Sequence, residues 1–507
     1  MSTLAYPRTG QRRLRRTPAA FASRWGSDTL LGVALAALAL VLVAHLAADI
    51  NVDSWLQLVT GRQIWTNGIP HRETLTIIGH GERWVDQQWL AQLAGYAIDR
   101  AGGLALLGLV NIALLVGSVA GAVAGARRLG APSRSVLLVL PAAVTLMMPS
   151  REIRTQELAM PLFVATAYLL ARDSRSPSFK ALWCLPILTL WANLHGSVTL
   201  GAGLVVLRGL TLGWERRREL GRHAGAWRQP LALVLGAPLA IMLTPYGLAI
   251  VGYYHATMAD PLLRHFVSEW RPITSIPVVA AVTFGLAAGT LWSFGAHPDK
   301  TTLWEKLAFL LLVAGTISVV RNALFCGLYA AMTVPVSWAY GPTVAERTHG
   351  SRTVVNAGLA FAAALAIVVG TAVTLTRGDG SLASITEPPG VLAAVQRATA
   401  ADPSLHVLAD GHFSDWLLWR DPRLAGHMAN DARFELLTAR QLTGIAAFMN
   451  VVGTHWKAAA RGYRLVVLRP SADPSAATIL HEPGSRVLYR QADALVILRN
   501  AREARSA

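Results

Sequence analysis

The chain has 507 residues, of which 53% are hydrophobic and 15% are charged, and this is too apolar for a soluble globular protein. The apolar residues come in runs long enough to cross a bilayer, which indicates a membrane protein with many helices. A formal net charge of +17 would suggest nucleic-acid binding in a soluble protein. Here the Lys and Arg residues lie mainly in short segments between apolar runs, where they set orientation, so no nucleic-acid partner is predicted.

The first apolar run, Leu30–Ala48, follows a basic arm at residues 1–28 that is predicted to stay in the cytoplasm. The arm carries a series of arginines: Arg8, Arg12, Arg13, Arg15 and Arg16. Such positively charged flanks remain on the cytoplasmic side of a membrane. The run is too long for a signal peptide and ends in polar residues without a cleavage site, so it is predicted to be a retained span.

Further apolar runs bring the prediction to about eleven membrane spans. With the N-terminus inside, this number places the C-terminus outside. The predicted division is a transmembrane domain at 29–376, with a first outer loop at 50–90, and an exported domain at 377–507. The two cysteines, Cys184 and Cys326, fall inside apolar runs and have neither metal-ligand nor disulfide spacing.

The predicted exported domain mixes two kinds of pattern. Val391–Ala398 and Leu436–Met449 have helical character, whereas strand-like runs begin at His406, Arg464 and Ala494. The predicted fold class is therefore an α-helical polytopic membrane protein with a small exported α/β domain.

Unusual polar residues collect at the predicted outer ends of the spans. They are Asp53, Asp86, Arg151, Glu152, Arg154, Gln156, Asn193, His195, Tyr246, His255, Asp260, Arg264, Glu269, Arg271 and Arg321. Arginines outside work against the positive-inside rule, and a phosphorylated lipid supplies a reason for them, because a guanidinium presents a planar fork to phosphate oxygens. Carboxylates beside the arginines indicate acid–base or metal chemistry.

Each of these residues also has a structural interpretation. Asp53 and Asp86 follow an apolar run, where a carboxylate is often solvated or caps a helix. His195 fits a hydrogen-bonded turn, and Arg154 and Arg321 fit ion pairs with neighbouring carboxylates. The concentration of the whole set on one predicted face favours a functional site.

Several short motifs resemble the GT-C glycosyltransferases of bacteria, a superfamily that includes lipid-linked mannosyl- and aminoarabinosyltransferases. The motifs are Asp53-Ser54-Trp55, Gly68-Ile69-Pro70, Trp84 to Leu90, Arg154-Thr155-Gln156, Trp191 to Gly196, Thr244 to Gly247, Glu269-Trp270 and Asp431-Ala432-Arg433. The resemblance extends over nearly the whole chain and implies a place in a bacterial cell membrane, and no single motif is diagnostic. The chain departs from the family pattern at Gln87, which stands where histidine is usual, at Gln88, which replaces a carboxylate, and at Thr244, which replaces an asparagine.

The resemblance implies an inverting transfer of a sugar from a polyprenyl-phosphate carrier to a glycan, lipid or protein acceptor at the outer face of the membrane. It implies Asp53 as the general base and Asp86 as its support. The residues implied to bind substrate and phosphate are Arg154, Gln156, Asn193, His195, Tyr246, Glu269 and Arg321. Some GT-C enzymes use a divalent metal, so the resemblance allows Mg²⁺ or Mn²⁺ with Asp53 as its ligand. Glu73 and Glu82 are predicted to be surface residues.

Two other functions stay open from the sequence. Gln88 and Thr244 motivate a catalytically inactive scaffold or lipid-binding protein. A transporter of lipid-linked sugars would place charges near the middle of its spans, and the predicted spans are nearly free of them.

Overall fold

The computed structural model describes residues 29–217, 224–259, 266–338, 350–376, 382, 387–491 and 493–506. The predicted cytoplasmic arm and the predicted outer residues Asp260 and Arg264 lie outside this part of the chain. The described residues are mostly helical, and their one sheet lies in the C-terminal region, residues 387–506.

Thirteen α-helices of the described residues precede the C-terminal region. They are α1 (Thr29–His45), α2 (Val52–Asn67), α3 (Trp89–Arg128), α4 (Ser133–Met147), α5 (Met160–Arg175), α6 (Cys184–Ala192), α7 (Val198–Glu215), α8 (Arg228–Met242), α9 (Ala249–Ala259), α10 (Pro277–Ala296), α11 (Leu303–Ser318), α12 (Ala323–Ser337) and α13 (Gly350–Leu375).

Four helical stretches of the described residues are long and apolar enough to cross a membrane. They are Thr29–Asp49, Trp89–Arg128, Ser133–Ser150 and Pro277–Ala296. Two shorter apolar helices, Phe179–Ala192 and Phe361–Leu375, accompany them. The apolar helical character predicted from the sequence is present, while the number of spans and their orientation stay predictions.

Helix α12 lies at the centre of the helical part. All its residues are buried, as expected of a helix that is apolar all round and has neighbours on every side. Phe325 on α12 packs against Phe163 and Trp191, with ring centroids 5.0 and 6.3 Å away. Because α12 is enclosed, the residues that immediately precede it are held in a fixed place.

The predicted loop at 50–90, here called the polar segment, begins as a helix rather than a loop. Helix α2 packs so closely against the first part of α3 that a Cβ on Gly61 would lie 2.2 Å from the Gln92 carbonyl oxygen. Helix α3 itself breaks at Gly102 and Gly103, where Gly103 has φ +67°. The break separates the first part of α3 from the apolar helix that follows it.

The C-terminal region combines five helices with a four-stranded sheet. Its elements are α14 (Pro389–Ala401), β1 (Val407–Ala409), α15 (Gly411–Arg420), α16 (Ala439–Asn450), β2 (Leu465–Leu468), α17 (Ser475–Leu480), β3 (Arg486–Gln491), β4 (Ala494–Leu498) and α18 (Ala501–Ser506). The strand order is β1-β2-β4-β3, with β1 and β2 parallel and the other pairs antiparallel. The three predicted strands are present, and β3 was missed because its residues are largely exposed and lack an apolar pattern.

The C-terminal region rests on the polar segment. The amides of Ile77 and Ile78 donate to the carbonyls of Met428 and Ala429, both at 2.9 Å. The Trp55 indole donates to a Glu387 carboxylate oxygen at 2.9 Å. The polar segment is therefore held between the helices and the C-terminal region.

This packing overturns one prediction from the sequence. Glu73 is fully buried, forms an ion pair with Arg433 at 2.5 Å and accepts a hydrogen bond from the Thr76 amide at 2.8 Å. The prediction of a surface position was wrong because the residues that cover Glu73 lie far away in the sequence. Glu82 is exposed, as predicted.

Candidate active site

Asp53 lies in the first turn of α2, where the local sequence favours a helix start. The Asn51 side chain accepts a hydrogen bond from the Ser54 amide at 3.2 Å, and the Asn51 amide donates to the Ser54 hydroxyl at 3.1 Å, which is a capping box. The Ser54 hydroxyl also donates to the Ile153 carbonyl at 2.8 Å. These bonds fix the start of α2 against the turn between α4 and α5, and they leave the Asp53 side chain 40% exposed.

Arg154, in that turn, is the charged partner of Asp53. Its Nε lies 3.2 Å from Asp53 Oδ2, and its Nη2 and Nη1 contact the carboxylates of Glu152 and Glu269. Burial alone lowers the pKa of Arg154, but the attraction of Asp53 and Glu152 outweighs it, so the pKa is raised. Arg154 therefore stays charged and holds together carboxylates from three parts of the chain.

Glu269 connects this arrangement to Arg321, whose Nε lies 3.7 Å from Glu269 Oε2. Arg321 Nε donates to Gln156 Oε1 at 3.1 Å, and Arg321 Nη2 contacts His195 Nε2 at 3.1 Å. Arg321 stands two residues before α12, so the enclosed helix fixes its backbone. We call the connected residues the Asp53–Arg321 group: Asp53, Glu152, Arg154, Gln156, His195, Glu269 and Arg321.

His195 is a neutral member of this group. Burial lowers its pKa well below the usual value, and the positive charges of Arg321 and Arg154 lower it further. His195 Nδ1 lies 2.8 Å from the Ser197 hydroxyl. Because a guanidinium can only donate, Nε2 is the acceptor in the contact with Arg321. His195 thus orients Arg321 and adds no positive charge of its own.

A cavity of about 210 Å³ opens beside the Asp53–Arg321 group. Its polar lining consists of Ser150, Glu152, Arg154, Ser268, Glu269, Arg271, Ser275 and Arg321. The Val320 amide donates to the Arg271 carbonyl at 3.0 Å, which ties together the segments that carry Arg271 and Arg321. Guanidinium, carboxylate and hydroxyl groups around one cavity suit a ligand that carries both phosphate and hydroxyl groups.

Asp86 lies apart from this group, in the polar segment. It is 2% exposed, and burial raises its pKa to about 7 against the opposing charge of Arg433. Asp86 Oδ1 accepts a weak hydrogen bond from the Gln88 amide at 3.4 Å. Within the described residues, no side-chain hydrogen bond or ion pair joins Asp86 to the Asp53–Arg321 group.

Asn193 and Tyr246 brace the polar segment near Asp86. Asn193 Oδ1 accepts a hydrogen bond from the Trp89 indole at 2.9 Å, and its Nδ2 donates to the Leu243 carbonyl at 3.0 Å. The Tyr246 hydroxyl donates to the Pro70 carbonyl at 2.8 Å. Both side chains are thus occupied in joining the polar segment to the helices.

Gln88 and Thr244, where the chain departs from the GT-C motifs, also support local turns. Gln88 Oε1 accepts a hydrogen bond from the Thr155 hydroxyl at 2.6 Å. The Thr244 hydroxyl accepts one from the Tyr246 amide at 3.3 Å. Neither departure alters the contacts of Asp53 with Arg154.

The predicted binding set left out Glu152, Glu157 and Arg271. Glu152 and Arg271 were recognised as polar residues of the same face, and that one-sided distribution was the signal that could have included them. Glu157 is buried and accepts a hydrogen bond from the Arg154 amide at 3.0 Å. Burial raises the pKa of Glu157 to about 8, so its carboxyl is mostly protonated at neutral pH.

The described residues do not fit a divalent metal at Asp53. The carboxylates of Asp53, Glu152 and Glu269 all contact Arg154, so its guanidinium already occupies the position between them that a metal ion would need. Among the described residues, no group of three or more His, Cys, Asp or Glu side chains is arranged to hold a metal ion.

No protein-family model matches the sequence, and no curated protein matches it. Among solved structures, the chain is similar to ArnT from Cupriavidus metallidurans bound to undecaprenyl phosphate, with a TM-score of 0.50 and 14% identity over 95% of this chain and 99% of ArnT. It is also similar to the arabinofuranosyltransferase AftD from Mycobacteria, with a TM-score of 0.50 and 15% identity over 94% of this chain and 40% of AftD. Both are GT-C glycosyltransferases. The chain has the GT-C fold.

The GT-C fold was predicted from the short motifs, and the likeness to ArnT over almost the full length of both chains confirms it. At 14% identity the likeness concerns the fold alone, and the chain spans less than half of AftD. Function has to be argued from the residues around the cavity, because one fold can carry different chemistries.

Proposed function

We propose that the chain is a membrane glycosyltransferase that moves a sugar from a polyprenyl-phosphate carrier to a hydroxyl acceptor at the outer face of the cell membrane. One observation carries the proposal: a partly exposed carboxylate, Asp53, pairs with Arg154, and Arg154 lines a cavity together with Arg271 and Arg321. A base next to cations is the combination that displacement of a phosphate leaving group requires.

In the proposed reaction the acceptor oxygen attacks the anomeric carbon of the donor sugar. The bond from that carbon to the phosphate oxygen breaks, the polyprenyl phosphate leaves with the bonding electrons, and Asp53 takes the proton from the acceptor hydroxyl. A single displacement of this kind inverts the configuration at the anomeric carbon. Asp53 suits the role of base because its carboxylate is 40% exposed and its backbone is fixed by the helix cap.

Arg321 and Arg271 are the proposed partners of the donor phosphate. Arg321 has neutral partners in Gln156 and His195, and its carboxylate partner Glu269 is 3.7 Å away, so most of its charge is available to an anion. Arg271 brings a second guanidinium to the same cavity. Binding of undecaprenyl phosphate by ArnT, which has the same fold, supports a lipid-linked donor.

The test is turnover by purified protein in lipid nanodiscs with undecaprenyl-phosphate sugars, using a membrane extract as the source of acceptors. Release of undecaprenyl phosphate is expected from the wild type. Asp53→Asn is expected to slow it by roughly 10²- to 10⁴-fold, the usual contribution of a general base. Glu82→Gln is the matched control, because Glu82 is an exposed carboxylate in the same segment.

Two results would count against the proposal. Release of undecaprenyl phosphate by Asp53→Asn at the wild-type rate would refute the role of Asp53 as general base. No release by the wild type with any sugar donor would favour a catalytically inactive scaffold. The orientation has its own test, since a C-terminal alkaline phosphatase fusion should be active in intact bacteria. An inactive fusion would place the C-terminal region inside the cell.

A further inference from the structure

Arg154 differs from an ordinary anion-binding arginine because each of its side-chain nitrogens already lies close to a carboxylate oxygen. Nε lies 3.2 Å from Asp53, while Nη1 and Nη2 contact Glu269 and Glu152. Only 9% of the Arg154 side chain is exposed. A phosphate could bind Arg154 only by displacing a carboxylate from it, which would leave a poorly solvated negative charge.

Arg321 is in the opposite situation. Its side chain is 28% exposed, it lines the cavity, and its carboxylate partner Glu269 is 3.7 Å away. Its two close contacts, with Gln156 and His195, are with uncharged groups. A phosphate entering the cavity can therefore approach Arg321 without breaking a close ion pair.

Resting on the proposed function, we propose that the two arginines have different tasks: Arg154 is a positioning residue that aims Asp53 at the cavity, and Arg321 binds the donor phosphate. The sequence placed both residues together as phosphate-binding, and their surroundings separate them. Glu269 lies between the two arginines, in direct contact with Arg154 and 3.7 Å from Arg321.

Positioning matters here because the carboxylate of Asp53 could otherwise rotate into solvent. A base displaced by about 1 Å can cost on the order of 10²-fold in rate while substrate binding changes little. Loss of a charged group that binds the donor instead weakens donor binding, by about 10-fold or more for one charge-assisted hydrogen bond. The two tasks therefore predict different kinetic signatures.

The test compares Arg154→Lys with Arg321→Gln in nanodiscs. Lysine keeps the positive charge among the three carboxylates, which protects folding, but it lacks the fork that reaches all of them. Arg154→Lys is expected to lower kcat by about 10²-fold and to change the KM for the donor less than about 3-fold. Arg321→Gln is expected to raise the donor KM by about 10-fold or more. Arg151→Lys is the control, because Arg151 lies in the same turn and pairs with Asp49 instead.

A second measurement does not need turnover. Binding of undecaprenyl phosphate alone, followed as the rise in unfolding temperature with lipid concentration, should be weakened about 10-fold or more by Arg321→Gln and less than about 3-fold by Arg154→Lys. Equal weakening by the two variants would overturn the division of tasks, as would an Arg154→Lys variant with an unchanged kcat. Wild-type protein that binds this lipid but transfers no sugar would refute the proposed glycosyltransferase activity. The binding results of the two variants would then still show whether Arg321, and not Arg154, binds the phosphate.

Discussion

Two buried carboxyl groups, Glu157 and Asp86, make the stability of the protein depend on pH. Burial raises the pKa of Glu157 to about 8 and that of Asp86 to about 7. In the unfolded chain both groups ionise near pH 4. The folded state therefore holds more protons than the unfolded state between about pH 4 and these raised values, and the free energy of unfolding falls as pH rises through that window.

Glu157→Gln is expected to flatten this dependence. Glutamine keeps an oxygen that accepts the hydrogen bond from the Arg154 amide, but it cannot ionise. The unfolding temperature of the wild type in detergent should drop between pH 5 and pH 8.5, and the variant should lose part of that drop. Glu82→Gln, at an exposed site, is the control. If the unfolding temperature of Glu157→Gln fell with pH as steeply as that of the wild type, Glu157 would not be the source of the dependence.

The sequence predicted most residues of the Asp53–Arg321 group, but it did not predict how their roles differ. Arginines on the predicted outer side, where the positive-inside rule disfavours them, pointed to Arg154 and Arg321, and both lie in the Asp53–Arg321 group. Which of them is free to meet an anion depends on Glu152 and Glu269, whose contacts with Arg154 arise from tertiary packing. No local pattern reports such contacts.

Among the elements, α2 decides where Asp53 points. A Cβ on Gly61 would lie 2.2 Å from the Gln92 carbonyl oxygen and 2.7 Å from Tyr96 Cβ, so the helix could not keep its place against α3. Because these neighbours include backbone, a larger residue must shift the helix.

Gly61→Ala is therefore expected to destabilise the protein by about 1–3 kcal/mol and to reduce sugar transfer by at least about 10-fold through displacement of Asp53. Unfolding temperature and kcat measure the two effects. Gly117→Ala, in α3, is the matched control, because a Cβ there meets no atom within 4 Å. Wild-type activity and stability in Gly61→Ala would show that α2 does not depend on this close approach.

The sequence predicted strongly apolar elements better than mixed ones. The runs that became β2 and β4 are buried and apolar, so their pattern was clear. The sequence predicts a loop over α2 because polar residues such as Gln57 and Thr60 are buried together with apolar ones, and this removes the one-sided pattern of a surface helix. Strand β3 was missed for the opposite reason, since it is largely exposed.

In the whole molecule, Arg433 joins the C-terminal region to the polar segment. It forms ion pairs at 2.5 Å with Glu73 and with Asp431, and its guanidinium lies 4.4 Å from the ring centre of Trp84. Burial alone lowers the pKa of Arg433, but Asp431 and Glu73 more than offset this, so its pKa is raised. Arg433 therefore remains charged inside the junction.

Arg433→Met is expected to destabilise the protein by about 3–5 kcal/mol, because it leaves two buried carboxylates without their partner. The variant should unfold at a lower temperature, and protease should cut between the helices and the C-terminal region more readily. Arg423→Met is the control in the same region, since its ion pair with Asp421 is exposed on the arginine side and such pairs contribute about 0–1 kcal/mol. Equal effects of the two variants would show that the junction does not depend on the buried pair.

Because the residues that bury Glu73 come late in the sequence, the polar segment is completed late in biosynthesis. Ribosomes make the chain from its N-terminus, so Glu73 and Trp84 leave the ribosome long before Arg433 and Asp431 exist. Until then the Glu73 carboxylate has only water and nearby backbone amides as partners. The polar segment also lacks its contacts with the C-terminal region. A nascent chain halted before Asp431 would therefore carry Asp53 and Arg321 without the ion pairs that hold the polar segment, and the proposed sugar transfer would begin only after Arg433 has been made.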